Sequence, residues 1–130
     1  MPSFFVFELW PRMAAIIRRT MTLLQPHHPV DDLCGITLLC YWGLSLGGGN
    51  ALLGLNPAVD DVENVCRILQ HLDTIRRRTG APTPICLLAH IKTQLACLDR
   101  AAPVEILFQS FAGTAATNLF KFHIMVDLLA

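Results

Sequence analysis

Charge is scarce in this chain. Only 15% of its 130 residues are Asp, Glu, Lys or Arg, and ten basic residues cancel ten acidic ones. Without net charge there is no long-range positive field to collect phosphates, which disfavours nucleic acid as a partner. Cys-x-x-Cys pairs are missing as well. The five cysteines, Cys34, Cys40, Cys66, Cys86 and Cys97, stand singly in apolar or helical patterns, as reduced, buried thiols of a cytosolic protein do. A secretory leader is also absent from the pattern: Phe4-Phe5-Val6-Phe7 is too short for a signal core, and Arg12, Arg18 and Arg19 follow it rather than precede it.

What the chain has in abundance is apolar surface, with hydrophobic residues at 53%. That balance fits strands buried on both faces, as in parallel α/β sheets, and makes disorder a poor reading. Leu33 to Val59 carries no charge at all, a run longer than the roughly 18 residues that suggest a membrane span. Gly47-Gly48-Gly49-Asn50 interrupts it, and glycine is costly inside a helix, so two shorter elements about a turn fit better than one span.

The acidic pairs and glycines punctuate the rest. Asp31 and Asp32 face the positive end of a helix predicted over Asp31–Leu46, with the Gly47 to Gly49 run as its exit. Asn50 to Leu55 reads as a short buried strand. Asp60-Asp61-Val62-Glu63 then opens a helix through Arg78, with Val62, Val65, Cys66, Leu69 and Leu72 at helical spacing and Arg76, Arg77 and Arg78 at its negative end. A turn at Thr79-Gly80-Ala81-Pro82 leads to a strand over Ile85–Ala89, a helix over Lys92–Arg100 and a strand over Val104–Phe108. Strands alternating with helices imply right-handed crossovers into a parallel sheet. Asn56, His90 and Gln109 then emerge together at the strand ends, where such folds place their ligand chemistry.

Several segments carry a resemblance over Gln25 to about Gly113: Gln25-Pro26, Asp31-Asp32, Gly43-Leu44-Ser45, Gly54-Leu55-Asn56-Pro57, Asp60-Asp61-Val62-Glu63-Asn64, Leu88-Ala89-His90, Ala102-Pro103 and Phe108-Gln109-Ser110. In these the chain resembles the middle of the large subunit of ethanolamine ammonia-lyase. The resemblance implies an α/β fold: a partial (β/α)8 TIM barrel of about three strand-helix units, since a complete barrel typically needs about 250 residues. Residues 1–24 and 114–130 fall outside it as divergent terminal segments.

Site residues follow from the same resemblance. Asn56 matches an asparagine that hydrogen-bonds substrate, and Gln25 matches a glutamine that binds it. An amide suits that task because it donates to a hydroxyl oxygen and accepts from an ammonium. From the local pattern alone, an Asn before Pro instead caps a turn. Pro57 and Gln109 align with residues that touch adenosylcobalamin; for Gln109 the competing reading is a helix-capping or rim residue. The pattern breaks at Leu23, where the family has an arginine, and leucine supplies no donor or charge.

Other features read as structural. His27 and His28 with Asp31 and Asp32 suggest metal ligands only superficially, and a solvated helix approach describes them better. The Gly47 to Gly49 run follows a helix and precedes a strand, the reverse of a phosphate loop. His90 reads as a hydrogen-bonded rim residue.

The resemblance thus implies a cytoplasmic, adenosylcobalamin-dependent lyase that converts ethanolamine to acetaldehyde and ammonia, with a small subunit and other large subunits as partners. Because the family's substrate-holding carboxylates match positions beyond residue 130, the expectation is little or no turnover by this chain alone. Two competing readings stand beside it. One is a non-catalytic interaction remnant that pairs with intact subunits; the other is a small membrane-inserted protein using Leu33 to Leu55.

Overall fold

Side-chain caps decide where the helices of this chain begin. The computed structural model describes residues 4–7, 23–46 and 52–110, with single helical positions at 116 and 119. Its strands are β1 (Phe4–Phe7), β2 (Leu23–Leu24), β3 (Leu52–Leu55), β4 (Ile85–Leu87) and β5 (Leu107–Ser110). Its helices are α1 (Leu33–Ser45), α2 (Val62–Thr79) and α3 (Ile91–Asp99). Asp32 starts α1 by accepting the Gly35 N–H at 2.7 Å, and Asp61 starts α2 by accepting that of Asn64 at 2.8 Å. His90 does the same for α3 through the Lys92 N–H at 3.2 Å. Gly80 ends α2 at φ 67°, a left-handed conformation that glycine adopts without a Cβ clash.

β2, β3 and β4 form a parallel sheet in that order, with Leu24 opposite Leu53 and Leu55 opposite Leu87. Helix α1 connects the first pair of strands and α2 the second. A parallel bridge from Cys86 to Ile106 extends the contact to the chain entering β5, and β1 pairs antiparallel with β5, Phe5 opposite Gln109. The fold is α/β, an open piece of (β/α)8 barrel in which three parallel strands alternate with helices. Among the described residues the sheet does not close.

The core lies between sheet and helices. Ile36 and Cys40 of α1 and Val65, Ile68, Leu69, Leu72 and Ile75 of α2 pack on Leu53, Leu55, Ile85 and Leu87. The predicted helical stripe of α2 is the buried one. The two strands need Gly54 at their closest point: a Cβ there would overlap the Cys86 carbonyl oxygen. Above the sheet, His71 of α2 joins Thr37 Oγ1 at 2.6 Å and the Leu33 carbonyl at 3.1 Å, tying the two helices through a polar seam.

The observed elements differ from expectation where side chains intervene. Helix α1 begins at Leu33 rather than Asp31, because Asp31 takes a positive φ of 52° and turns its carboxylate away from the helix. The last strand occupies Leu107–Ser110 instead of Val104–Phe108. Val104 gives its N–H to the Ala102 carbonyl in a tight turn, and the Ile85 N–H that a strand partner would accept goes to the Glu105 carboxylate at 2.9 Å. Gln109 consequently lies within a strand and not beyond it. Leu23–Leu24 forms a strand that apolar periodicity did not mark.

Arg76, at the negative end of α2, also makes ion pairs. It pairs with Asp73 at 2.5 Å and with Glu105, while Arg77 reaches Asp73 at 2.7 Å. All five cysteines are free; Cys34 is exposed, against expectation, and the other four are buried. Burial pushes the Cys40 and Cys86 thiols up to about 12, so neither is a thiolate at neutral pH. Among the described residues no helix is long and apolar enough to cross a membrane. The glycine run and most of residues 1–22 and 111–130 lie outside the described residues.

Candidate functional site

Parallel strands point their carboxyl ends the same way, so the loops after β2, β3 and β4 gather on one rim. The loop after β2 brings Gln25 to Asp32, and the loop after β3 brings Asn56 to Asp61. His90 follows β4, and Gln109 sits in the adjoining β5.

The first two loops are clamped by a carboxylate. Asp31, only 2% exposed, accepts the Ala58 N–H at 2.8 Å, the Val59 N–H at 3.1 Å and the Asn64 side-chain amide at 2.7 Å. Its own carbonyl accepts from the Arg67 guanidinium at 3.1 Å, and Arg67 also holds Asn64 Oδ1 at 2.7 Å. Burial alone would raise its pKa. The hydrogen bonds from Ala58, Asn64 and Val59, with the Arg67 charge, outweigh that and hold the carboxyl below its ordinary value. Asp31 is therefore a buried anion in a ring of donors, and its left-handed backbone is the geometry that aims it there.

Histidine joins the same two loops nearer the surface. His27 Nδ1 accepts the Asn56 N–H at 3.2 Å, and its Nε2 lies 3.3 Å from Gln25 Oε1. His28 Nδ1 accepts from Asp32 N–H at 3.2 Å within its own loop. A shallow open pocket is lined by His27, His28, Pro29, Asn56 and Ala58. Pro57, half-buried, follows Asn56 at its edge.

On the other side of the rim the clamps are neutral amides. Gln94 of α3, 1% exposed, donates through Nε2 to the Ala89 carbonyl at 2.6 Å and the Phe108 carbonyl at 2.5 Å, while its Oε1 accepts the Phe108 N–H at 3.0 Å. One side chain thus fastens the end of β4 to β5. Since Phe108 turns its backbone groups toward Gln94, its neighbours Leu107 and Gln109 turn theirs to the opposite edge, which β1 occupies. Asp60 connects the two halves by accepting the His90 N–H at 2.7 Å.

The predicted site residues fall into two places. Asn56 lines the pocket, Gln25 is joined to it through His27, and Pro57 follows Asn56 in the chain. Gln109 is buried on the amide side: its Oε1 accepts the Ile91 N–H at 3.0 Å at the start of α3, and its Nε2 donates to the Ser110 carbonyl at 2.7 Å. Of the two readings weighed for each amide, Asn56 does not cap its turn. Asp31 does that from the other loop, and among the described residues the Asn56 side-chain amide has no partner. Gln109 does cap a helix.

Sequence reasoning missed Asp31, His27 and Gln94 as organisers of the rim. Gln94 had a faint signal, a polar residue three positions before Cys97 on the buried face of a short helix. A positive φ at Asp31 has none.

Comparison with known proteins gives the family of the chain. The family model of the ethanolamine ammonia-lyase large subunit matches residues 15–130. The chain belongs to the ethanolamine ammonia-lyase large-subunit family. It is 42% identical over 91 residues to the ethanolamine ammonia-lyase large subunits of Salmonella typhimurium strain LT2 and of Escherichia coli K12. Those 91 residues are 70% of this chain and 20% of either relative, so the chain spans about a fifth of the length of the lyase subunits it matches.

Proposed function

We propose that the chain is a segment of an adenosylcobalamin-dependent ethanolamine ammonia-lyase large subunit and contributes one quadrant of its site. Gln25 and Asn56 hold ethanolamine, and Pro57 and Gln109 meet the cobalamin. The observation that carries the reading is the Asn56 side chain. Among the described residues it has no partner at the pocket, while His27 holds its own N–H and Asp31 holds those of Ala58 and Val59 that follow, the arrangement required of an amide that must donate to a hydroxyl and accept from an ammonium.

The fit to the cofactor is uneven. Pro57 presents a half-buried ring beside Ala58 on the open rim, a surface against which a flat macrocycle can lie. Gln109 fits only through Nε2, because its Oε1 holds the Ile91 N–H and Nε2 retains one hydrogen beyond the bond to Ser110. When bound, adenosylcobalamin supplies the radical that starts the conversion of ethanolamine to acetaldehyde and ammonia. This chain's own part is to bind and orient. Leu23, 43% exposed, offers no charge where the family carries arginine, which supports little or no turnover by the chain alone.

Adenosylcobalamin and ethanolamine binding by the purified chain, with and without a small subunit, tests the reading. Ethanolamine binding lost in Asn56→Ala and cobalamin binding weakened in Gln109→Ala are the expected results. A folded chain that binds neither overturns it.

A second reading draws on helix α1. Leu38, Trp42 and Leu46, spaced four apart, are 72%, 65% and 74% exposed and form an apolar stripe on a helix without a charged residue. That stripe favours a non-catalytic chain that associates with intact lyase subunits. Co-purification with them that is lost in Trp42→Lys, with no gain in lyase activity on mixing, is its expected signature.

A further inference from the structure

We propose that His27 is a positioning residue: its imidazole, protonated at Nε2 and bare at Nδ1, ties the Gln25 side chain to the Asn56 backbone so that the two amides are set as one unit. The inference deepens the reading of Gln25 and Asn56 as substrate ligands and rests on it for its catalytic meaning. The tie itself rests on geometry alone.

The proton's position follows from the partners. A backbone N–H can only donate, and the Asn56 N–H points at Nδ1 from 3.2 Å, so Nδ1 carries a lone pair. A neutral imidazole then carries its hydrogen on Nε2, which lies 3.3 Å from Gln25 Oε1, an oxygen that can only accept. Each contact requires the tautomer that the other requires. The two ends belong to loops after different strands, β2 and β3, which Leu23↔Leu52 and Leu24↔Leu53 hold side by side.

Two consequences follow for the site. With Oε1 occupied, Gln25 has its amide orientation set and leaves its two N–H groups, rather than its oxygen, for a ligand. With its N–H held, Asn56 cannot rotate about the turn that Asp31 pins two residues further on. His28 does not share this task, because its Nδ1 serves Val30 and Asp32 of its own loop. Gly35 is what admits the His28 ring: a Cβ at that position would overlap it. The adjacent histidines thus divide the work, one shaping its own loop and one reaching across to its neighbour.

Asparagine is the substitution that separates positioning from bulk. Its Oδ1 branches from Cγ as Nδ1 does and can accept the Asn56 N–H, while its Nδ2 takes the place of the imidazole Cδ2, one bond short of Nε2, and leaves the Gln25 bond unmade. His27→Ala removes both bonds, and His27→Leu fills the space without either.

The test uses the full chain labelled with 15N. Imidazole nitrogen spectra should show His27 protonated at Nε2, and the Asn56 amide proton should move upfield in His27→Ala and His27→Leu and return in His27→Asn. Ethanolamine titration should show binding about tenfold weaker in the first two variants and partly restored in the third, since the first two lose both hydrogen bonds and the third loses one. An Nδ1-protonated ring, an unmoved Asn56 amide or a failure of asparagine to restore it would overturn the tie. Unchanged ethanolamine affinity in His27→Ala would overturn the positioning role. A wild-type chain that shows the tie and binds no ethanolamine would remove the lyase reading and leave His27 as the coupler of the two loops.

Discussion

The two halves of the rim solve one problem with opposite chemistry. Between β2 and β3 an ionised carboxylate, Asp31, gathers N–H groups from a neighbouring loop. Between β4 and β5 a neutral amide, Gln94, serves one N–H and two carbonyls. The difference lies in the partners. Where the loop offers only donors, an anion satisfies several at once and its charge is stabilised by them. Where a strand offers both a donor and an acceptor, only a group with both can sit between them, and a charge would meet carbonyl oxygens. The first clamp is consequently sensitive to acid and the second is not.

The largest test of that contrast is Gln94→Glu. A buried carboxylate facing the Ala89 and Phe108 carbonyls is uncompensated, and we expect a loss of about 3–5 kcal/mol at neutral pH in urea unfolding. Its folded pKa would be raised, so the penalty is relieved as pH falls and stability relative to wild type improves in acid. Asp31→Asn should lose about 2–3 kcal/mol at neutral pH, since the amide must turn an N–H toward donors that the carboxylate accepts. Asparagine tolerates the left-handed backbone, so charge and acceptor count are the variables. Here the sign is opposite. The folded carboxyl is held low, so its contribution is present above the unfolded carboxylate value and lost as pH falls through the lowered one. The wild-type advantage over Asp31→Asn should therefore shrink in acid.

Gly54→Ala attacks the platform that both clamps share. A Cβ against the Cys86 carbonyl should cost about 1–3 kcal/mol with little dependence on pH. Arg77→Ala is the control away from the rim. Its side chain is largely exposed, and loss of its bond to Asp73 should change stability by less than about 0.5 kcal/mol.

Legibility in the sequence tracked locality. The 3.6-residue stripe of α2, its Asp61 and Gly80 ends and the alternation of strand and helix are properties of neighbours in the chain, and all are readable there. The substrate roles proposed for Asn56 and Gln25 come only from resemblance, since an Asn-Pro turn fits a cap equally well. The cap of that turn is Asp31, which the loop after β2 presents across space. Likewise, the start of β5 depends on Glu105 reaching Ile85 and on Val104 turning back on Ala102, neither of which apolar periodicity encodes. His27 looked like one of a solvated pair because its partners lie two and 29 residues away and on different elements.

The Glu105 contact has a consequence for deuterium exchange. In the same sheet the Leu88 N–H is held by the Leu55 carbonyl at 2.9 Å, a backbone partner that leaves only when the strands part. The Ile85 N–H is held by a carboxylate whose side chain is 39% exposed, and a rotation about its χ angles releases it with the strands still paired. At the start of β4 and just past its end, three positions apart, the two amides should therefore exchange by different routes. Ile85 reports a side chain swinging on the nanosecond scale, and Leu88 reports the rarer opening of the sheet.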